Sequence, residues 1–98
     1  MQRSRTLIVT LACLTVVTAC VTLAPGADKV RVTSSPADVT ACKPVGNIRI
    51  PLSPQLDVFE MANAELEFRN QIVGLAGNTG LVTSALLGAY EGIAYQCP

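Results

Sequence analysis

Histidine and tryptophan are absent from this 98-residue chain. Without histidine the commonest general base near neutral pH and the commonest metal ligand are both missing. Charge is sparse as well: 14% of residues are charged, with seven basic and seven acidic side chains in balance. There is no basic face of the kind nucleic acid requires and no polybasic patch to grip anionic lipid. No Cys-x-x-Cys spacing occurs among the four cysteines, which argues against a redox-active pair. Gly74-Leu-Ala-Gly77-Asn-Thr-Gly80 has the glycines of a phosphate loop but lacks its lysine, and it ends a helical pattern where such a loop would open one. Ser34, Ser53 and Ser84 have no base near them in sequence. An enzyme is not expected, nor is a cofactor or a metal.

What is present begins at the N-terminus. Arg3 and Arg5 precede an uncharged stretch from Thr6 to Ala19. A short basic segment, an apolar segment and then small residues make the layout of an export signal. A permanent membrane span is the alternative, because the uncharged run from Leu7 to Ala24 is close to the lower length limit for one. Threonines at positions 6, 10, 15, 18 and 22 weaken that alternative. Val17-Thr18-Ala19-Cys20 resembles the bacterial lipobox, with an aliphatic residue three before the cysteine and small residues between. The Cys20 thiol would accept the diacylglyceryl group and become the first residue after cleavage. A competing Thr10-Leu11-Ala12-Cys13 leaves only Leu7 to Val9 as an apolar core, which is too short.

These boundaries divide the chain into a signal peptide (1–19), a lipid anchor with a short tether (20–28) and a folded domain (29–98). Cleavage would leave 79 of the 98 residues, with five basic and seven acidic side chains, a formal charge of −2. The tether contains Pro25 and Gly26, and nine extended residues span roughly 30 Å, so the domain would sit close to its membrane. Cys42 and Cys97 remain. Export implies an oxidising compartment, where the two would pair in a disulfide; two buried thiols are the alternative. The bond would also fasten the end of the chain near Cys97 and support a domain small for a core of its own.

Periodicity outlines an α+β domain of order strand, strand, helix, strand, strand, with one helix packed on an antiparallel or mixed sheet and stapled by the one disulfide. Lys29 to Thr33 alternates and reads as a strand; Ser34 to Asp38 reads as a turn. A second strand is expected from Val39, interrupted by a bend or bulge over Lys43 to Asn47 because Pro44 cannot donate to a ladder, and resumed to Ile50. Asp57 to Ala76 reads as a helix, Asp57 at its N-terminus and Gly77 as the C-cap. Its polar side carries Glu60, Asn63, Glu67, Asn70, Gln71 and Gly74. Phe59, Ala62, Leu66 and Val73 form one apolar flank, and Met61, Ala64, Phe68, Ile72 and Leu75 the other. Glu65 and Arg69 lie between them as an i,i+4 pair at the helix–sheet margin. Strands are expected over Gly80 to Leu87 and Ala89 to Cys97. In the last, Tyr90 and Tyr95 point to opposite faces and are the candidate partner contacts. A Cys42–Cys97 bond requires the second and last strands to be neighbours, or nearly so.

Arg69 to Val82, RNQIVGLAGNTGLV, resembles the Arg-Asn-x-Ala-Ala-x-x-Gly-Ala-Asn-x-Val stretch of small Gram-negative envelope lipoproteins of unknown function. Those proteins are similar in plan to the sensor lipoprotein of the Rcs stress system. Beside a shared lipobox, the likeness covers roughly residues 29 to 97, with a cysteine before an apolar-Gly turn (Cys42 to Gly46), a helix ending near Gly-x-Asn and a cysteine near the C-terminus. Ile72 and Val73 depart from it by replacing the small pair. It implies a fold and an envelope location more than a signalling role.

The expectation is therefore a non-enzymatic lipoprotein held to the bilayer through acylated Cys20. Its domain would face the periplasm and bind a protein partner or sense envelope state. Cys20 is followed by Val21 and not by an Asp, which favours the outer membrane. A purely structural lipoprotein or surface antigen is the alternative, and a small hydrolase or ligand carrier a further one.

Overall fold

A computed structural model describes residues 22–54, 58–85 and 88–98. Cys20, Asp57, Leu86 and Leu87 lie outside the described residues. The described residues form one α-helix, α1 (Val58–Gly74), on a four-stranded mixed sheet of β1 (Arg31–Thr33), β2 (Lys43–Pro51), β3 (Thr79–Ser84) and β4 (Ala89–Gln96). Strand order is β1-β3-β4-β2; β1 runs parallel to β3, and β4 is antiparallel to both its neighbours. The expected α+β architecture is present, with the second and last strands side by side and Cys42 bonded to Cys97.

Phe68 and Ile72, neither with any surface exposed, centre the core. They project from α1 onto two positions of the sheet that have no side chain. A Cβ on Gly80 of β3 would fall 2.6 Å from Phe68 Cε2, and one on Gly92 of β4 would fall 2.5 Å from Phe68 Cζ. Real Cβ atoms do not approach that closely, so the two glycines form a notch that admits the ring. Val30, Ile48, Ala64, Tyr90 and Ala94 close around it, and Tyr90 meets Phe68 in a tilted ring pair with centroids 5.2 Å apart.

β4 alternates as its sequence suggests: Tyr90, Gly92 and Ala94 are buried under the helix, while Glu91, Ile93 and Tyr95 are half-buried on the opposite face. β2 departs from expectation. Val39 belongs to a 3₁₀ turn, Pro36–Val39, and the strand begins only at Lys43. Pro44 lies inside the strand beside a register shift between Pro44 and Gly46. β2 is an edge strand, so a residue without an N–H can be accommodated there, and the irregularity absorbs the local mismatch. At the other edge β1 is shorter than expected, because Ala27–Lys29 forms a 3₁₀ turn ahead of it.

The helix buries one apolar flank and leaves much of the other open. Ala64, Phe68 and Ile72 are buried and Met61 packs beside them, but Phe59 is 81% exposed and Ala62 is exposed. From the outer flank Val73 reaches the core. The cap also differs: Ala76, with φ 61°, takes the left-handed position that ends the helix, not Gly77. Gly77 is required for room, since a Cβ there would lie 3.0 Å from the Tyr95 carbonyl oxygen.

The notch makes a sharp prediction. Gly92→Ala should destabilise the domain by about 3 kcal/mol, the upper part of the overpacking range, because both the Phe68 ring and the Leu81 carbonyl block the new methyl. Gly74→Ala, where no atom stands within 4 Å, should be neutral or stabilising by up to about 1 kcal/mol. Midpoints of urea denaturation measure both. Equal midpoints for the two variants would remove the notch as the organising contact.

Candidate functional site

The Cys42–Cys97 bond spans a sequence separation of 55 residues. Its position follows from the ladder. Lys43 pairs with Gln96 in antiparallel register, so the flanking residues Cys42 and Cys97 fall opposite each other at the end of β2 and β4. Closing such a loop contributes on the order of 4 kcal/mol in the chain-entropy model. A side-chain amide then extends the ladder beyond its last strand residue. Asn78 accepts from the Cys97 N–H through Oδ1 at 2.9 Å and donates through Nδ2 to the Cys97 carbonyl at 2.9 Å. Its own N–H donates to the Tyr95 carbonyl. Asn78 thus imitates a strand residue, and it ties the segment after the helix to the segment that carries the disulfide.

A second amide holds the other end of the described chain. Asn70, on α1, accepts from the Ala24 N–H at 2.7 Å and donates to the Thr22 carbonyl at 2.7 Å. The tether is therefore docked on the helix from Thr22 onward. Arg69 completes that attachment by donating to the Val30 carbonyl at 2.5 Å, and its distance to Glu65 is 4.0 Å. The i,i+4 pair sits at the helix margin as expected, but the firmer contact of Arg69 is with backbone. Glu60 stays on the exposed side of the helix, and there its carboxylate accepts from the Ser53 N–H and from the Ser53 hydroxyl, joining the exit of β2 to the start of α1. Neither asparagine pairing was readable beforehand, because the partners lie 46, 48 and 19 residues away. The one local hint was an asparagine within a helix, where it is a poor former.

The two tyrosines part company. Tyr90 is 6% exposed and belongs to the core. Tyr95 is half-buried on the sheet face away from α1. That face is covered on one side, where the Pro36–Val39 turn packs on β3 and both Val39 and Leu81 are buried. Toward β2 it is open. Asn47, Arg49, Thr83, Glu91 and Ile93 line a hollow of about 390 Å³ there. Arg49 Nε stands 3.8 Å from Glu91 Oε1 across the hollow's floor. The hollow offers two opposite charges, an amide, a hydroxyl and an aliphatic side chain, a mixture suited to a polar protein surface. Among the described residues no group of three or more Cys, Asp or Glu is placed to hold a metal, and no helix is long and apolar enough to cross a membrane. No protein family matches the chain, and neither a curated protein nor a solved structure is similar to it.

Tyr90 supplies a pH readout of the core. Burial, reinforced by the negative charge of Glu65 and opposed by Arg69, holds its hydroxyl above the ordinary 10.0. The folded state thus keeps a proton that the unfolded chain releases. That contribution is complete below about pH 10 and fades as pH rises through the raised folded value. Denaturation midpoints of oxidised protein should fall across this alkaline window, and Tyr90→Phe should flatten the fall. An unchanged slope in the variant would show that other groups govern it.

Proposed function

We propose that the chain is a bacterial envelope lipoprotein, exported, cleaved before Cys20 and anchored by acyl chains on that cysteine. Its domain has no catalytic role and binds a protein partner on the open sheet face, around Tyr95 and the hollow between Arg49 and Glu91. The observation that carries the reading is Val17-Thr18-Ala19-Cys20 behind a basic and then apolar segment. The Cys42–Cys97 bond supports it independently, because structural disulfides belong to oxidising compartments outside the cytoplasm. Two or more acyl chains suffice for stable anchoring without a membrane-spanning helix. Location at the outer membrane, with the domain in the periplasm, follows from Val21 occupying the place where a retention aspartate would stand.

Mass spectrometry of the mature protein should find an acylated Cys20 as the first residue and nothing of residues 1–19. An intact residue 1, or cleavage elsewhere, would overturn the anchor.

The partner-binding role has its own test. A photo-crosslinking side chain in place of Tyr95, on protein in its native envelope, should join the domain to one discrete polypeptide. Products made only of this chain, or of abundant envelope components, would instead favour a structural lipoprotein or surface antigen.

A further inference from the structure

The outer side of α1 carries apolar surface that the core does not use. Val58 and Phe59 are 82% and 81% exposed, Ala62 is exposed and Leu66 is half-buried. Phe59, Ala62, Leu66 and Asn70 follow one another at spacings of three and four, so they share a side of the helix. At Asn70 that side receives the docked tether, through Thr22 and Ala24, and Leu23 between them is 40% exposed. Cys20 is two residues before Thr22, and two extended residues reach about 7 Å. Whatever is attached to Cys20 therefore emerges beside the helix side that carries Phe59, which lies about 16 Å along the axis from Asn70.

We propose that this side of α1 rests on the bilayer surface. The acyl chains enter at the Asn70 end, and Phe59, with Val58 and Ala62, enters the headgroup boundary at the other. Two such points lay the helix parallel to the membrane plane, as interfacial helices lie. The inference rests on the lipoprotein reading and deepens it. Charge narrows the lipid. Glu60 and Glu67 border the apolar stripe on one side and Glu65 borders it on the other, while Arg69, the helix's one cation, is turned to the Val30 carbonyl. Lys29 in the turn packed on α1 is exposed but is offset by Asp28 beside it, so the three helix carboxylates set the sign: an anionic leaflet is repelled and a zwitterionic phospholipid surface accepted. The sheet lies on the other side of α1, so its open face is directed away from the bilayer.

The test uses the full acylated protein in its native envelope, with a benzophenone-bearing residue in place of Phe59 and, separately, in place of Thr83 on the open sheet face. Phe59 is exposed, so its replacement leaves the core intact. Phospholipid adducts should form roughly tenfold more from position 59 than from position 83, the scale set by inserting one large apolar side chain. Equal lipid adducts at the two positions, or polypeptide adducts dominating at 59, whether a second copy or another protein, would overturn the docking. The mass of Cys20 in the same sample separates the two levels. Acylation with no excess of lipid adduct at 59 sinks the docking alone, and an unacylated Cys20 sinks the anchor with it.

Discussion

The fold turns on one insertion, the Phe68 ring entering the gap left by Gly80 and Gly92. Two adjacent strands must both lack a side chain at that point for the helix to approach, and the approach then determines which helix flank is buried. Ile72 follows Phe68 one turn later onto the same part of the sheet, and Ala64 precedes it one turn earlier. Tyr90 tilts against the ring and closes the core on the side of β4. A well-packed interior of this kind tolerates little change in volume, and here the fit is to backbone, which cannot move aside as a rotamer can.

A core of so few large side chains leaves the periphery to be held by other means. One covalent bond closes the β2–β4 end, and side-chain amides secure what the ladders do not reach. Asn78 continues β4 past its last residue, and Asn70 holds the segment ahead of β1. Arg31 and Asp38, 3.2 Å apart, join β1 to the turn that follows it, and Thr33 donates to the same carboxylate. Apart from the disulfide and the part-buried Ala24–Asn70 bond, these contacts are exposed and individually weak. Their value is positional, since each adds to the few apolar anchors nearby, Ala27 and Val30 ahead of β1 and Val39 in the turn after it.

Much of the architecture was legible in the chain. The period-two alternation from Ala89 to Gln96, the helix set between two pairs of strands and the pairing of Cys42 with Cys97 were each expected, and the structure bears out all three. The errors came from facts that no local pattern carries. The bulge expected at Pro44 is present as a register shift, but the strand runs through it, because an edge strand can hold a residue with no N–H to lose, and nothing in the chain says that β2 is an edge. The two apolar flanks of α1 are alike in composition, and the choice between them was made by the glycine notch. Ala76, not Gly77, takes the left-handed position that ends the helix, and a Cβ on Gly77 would crowd the Tyr95 carbonyl. For the candidate site, Tyr90 and Tyr95 were correctly assigned to opposite faces. The hollow beside Tyr95 was not foreseen, because it draws residues from three strands. The Cys20 reading falls on residues outside those described and stays a proposal.

The attachment at Asn70 also has a mechanical meaning. A pull applied to the chain ahead of Thr22 reaches the domain first at two hydrogen bonds on one amide, and only after they part at the Arg69–Val30 contact and the short β1. Releasing residues 22 to 26, none of them buried, would lengthen that segment by roughly 17 Å ahead of Ala27 and Val30, which are buried in the core. Under low strain the segment from Thr22 to Ala24 keeps a set orientation on the helix. Under high strain the first residues to yield are those ahead of Ala27, which bury least.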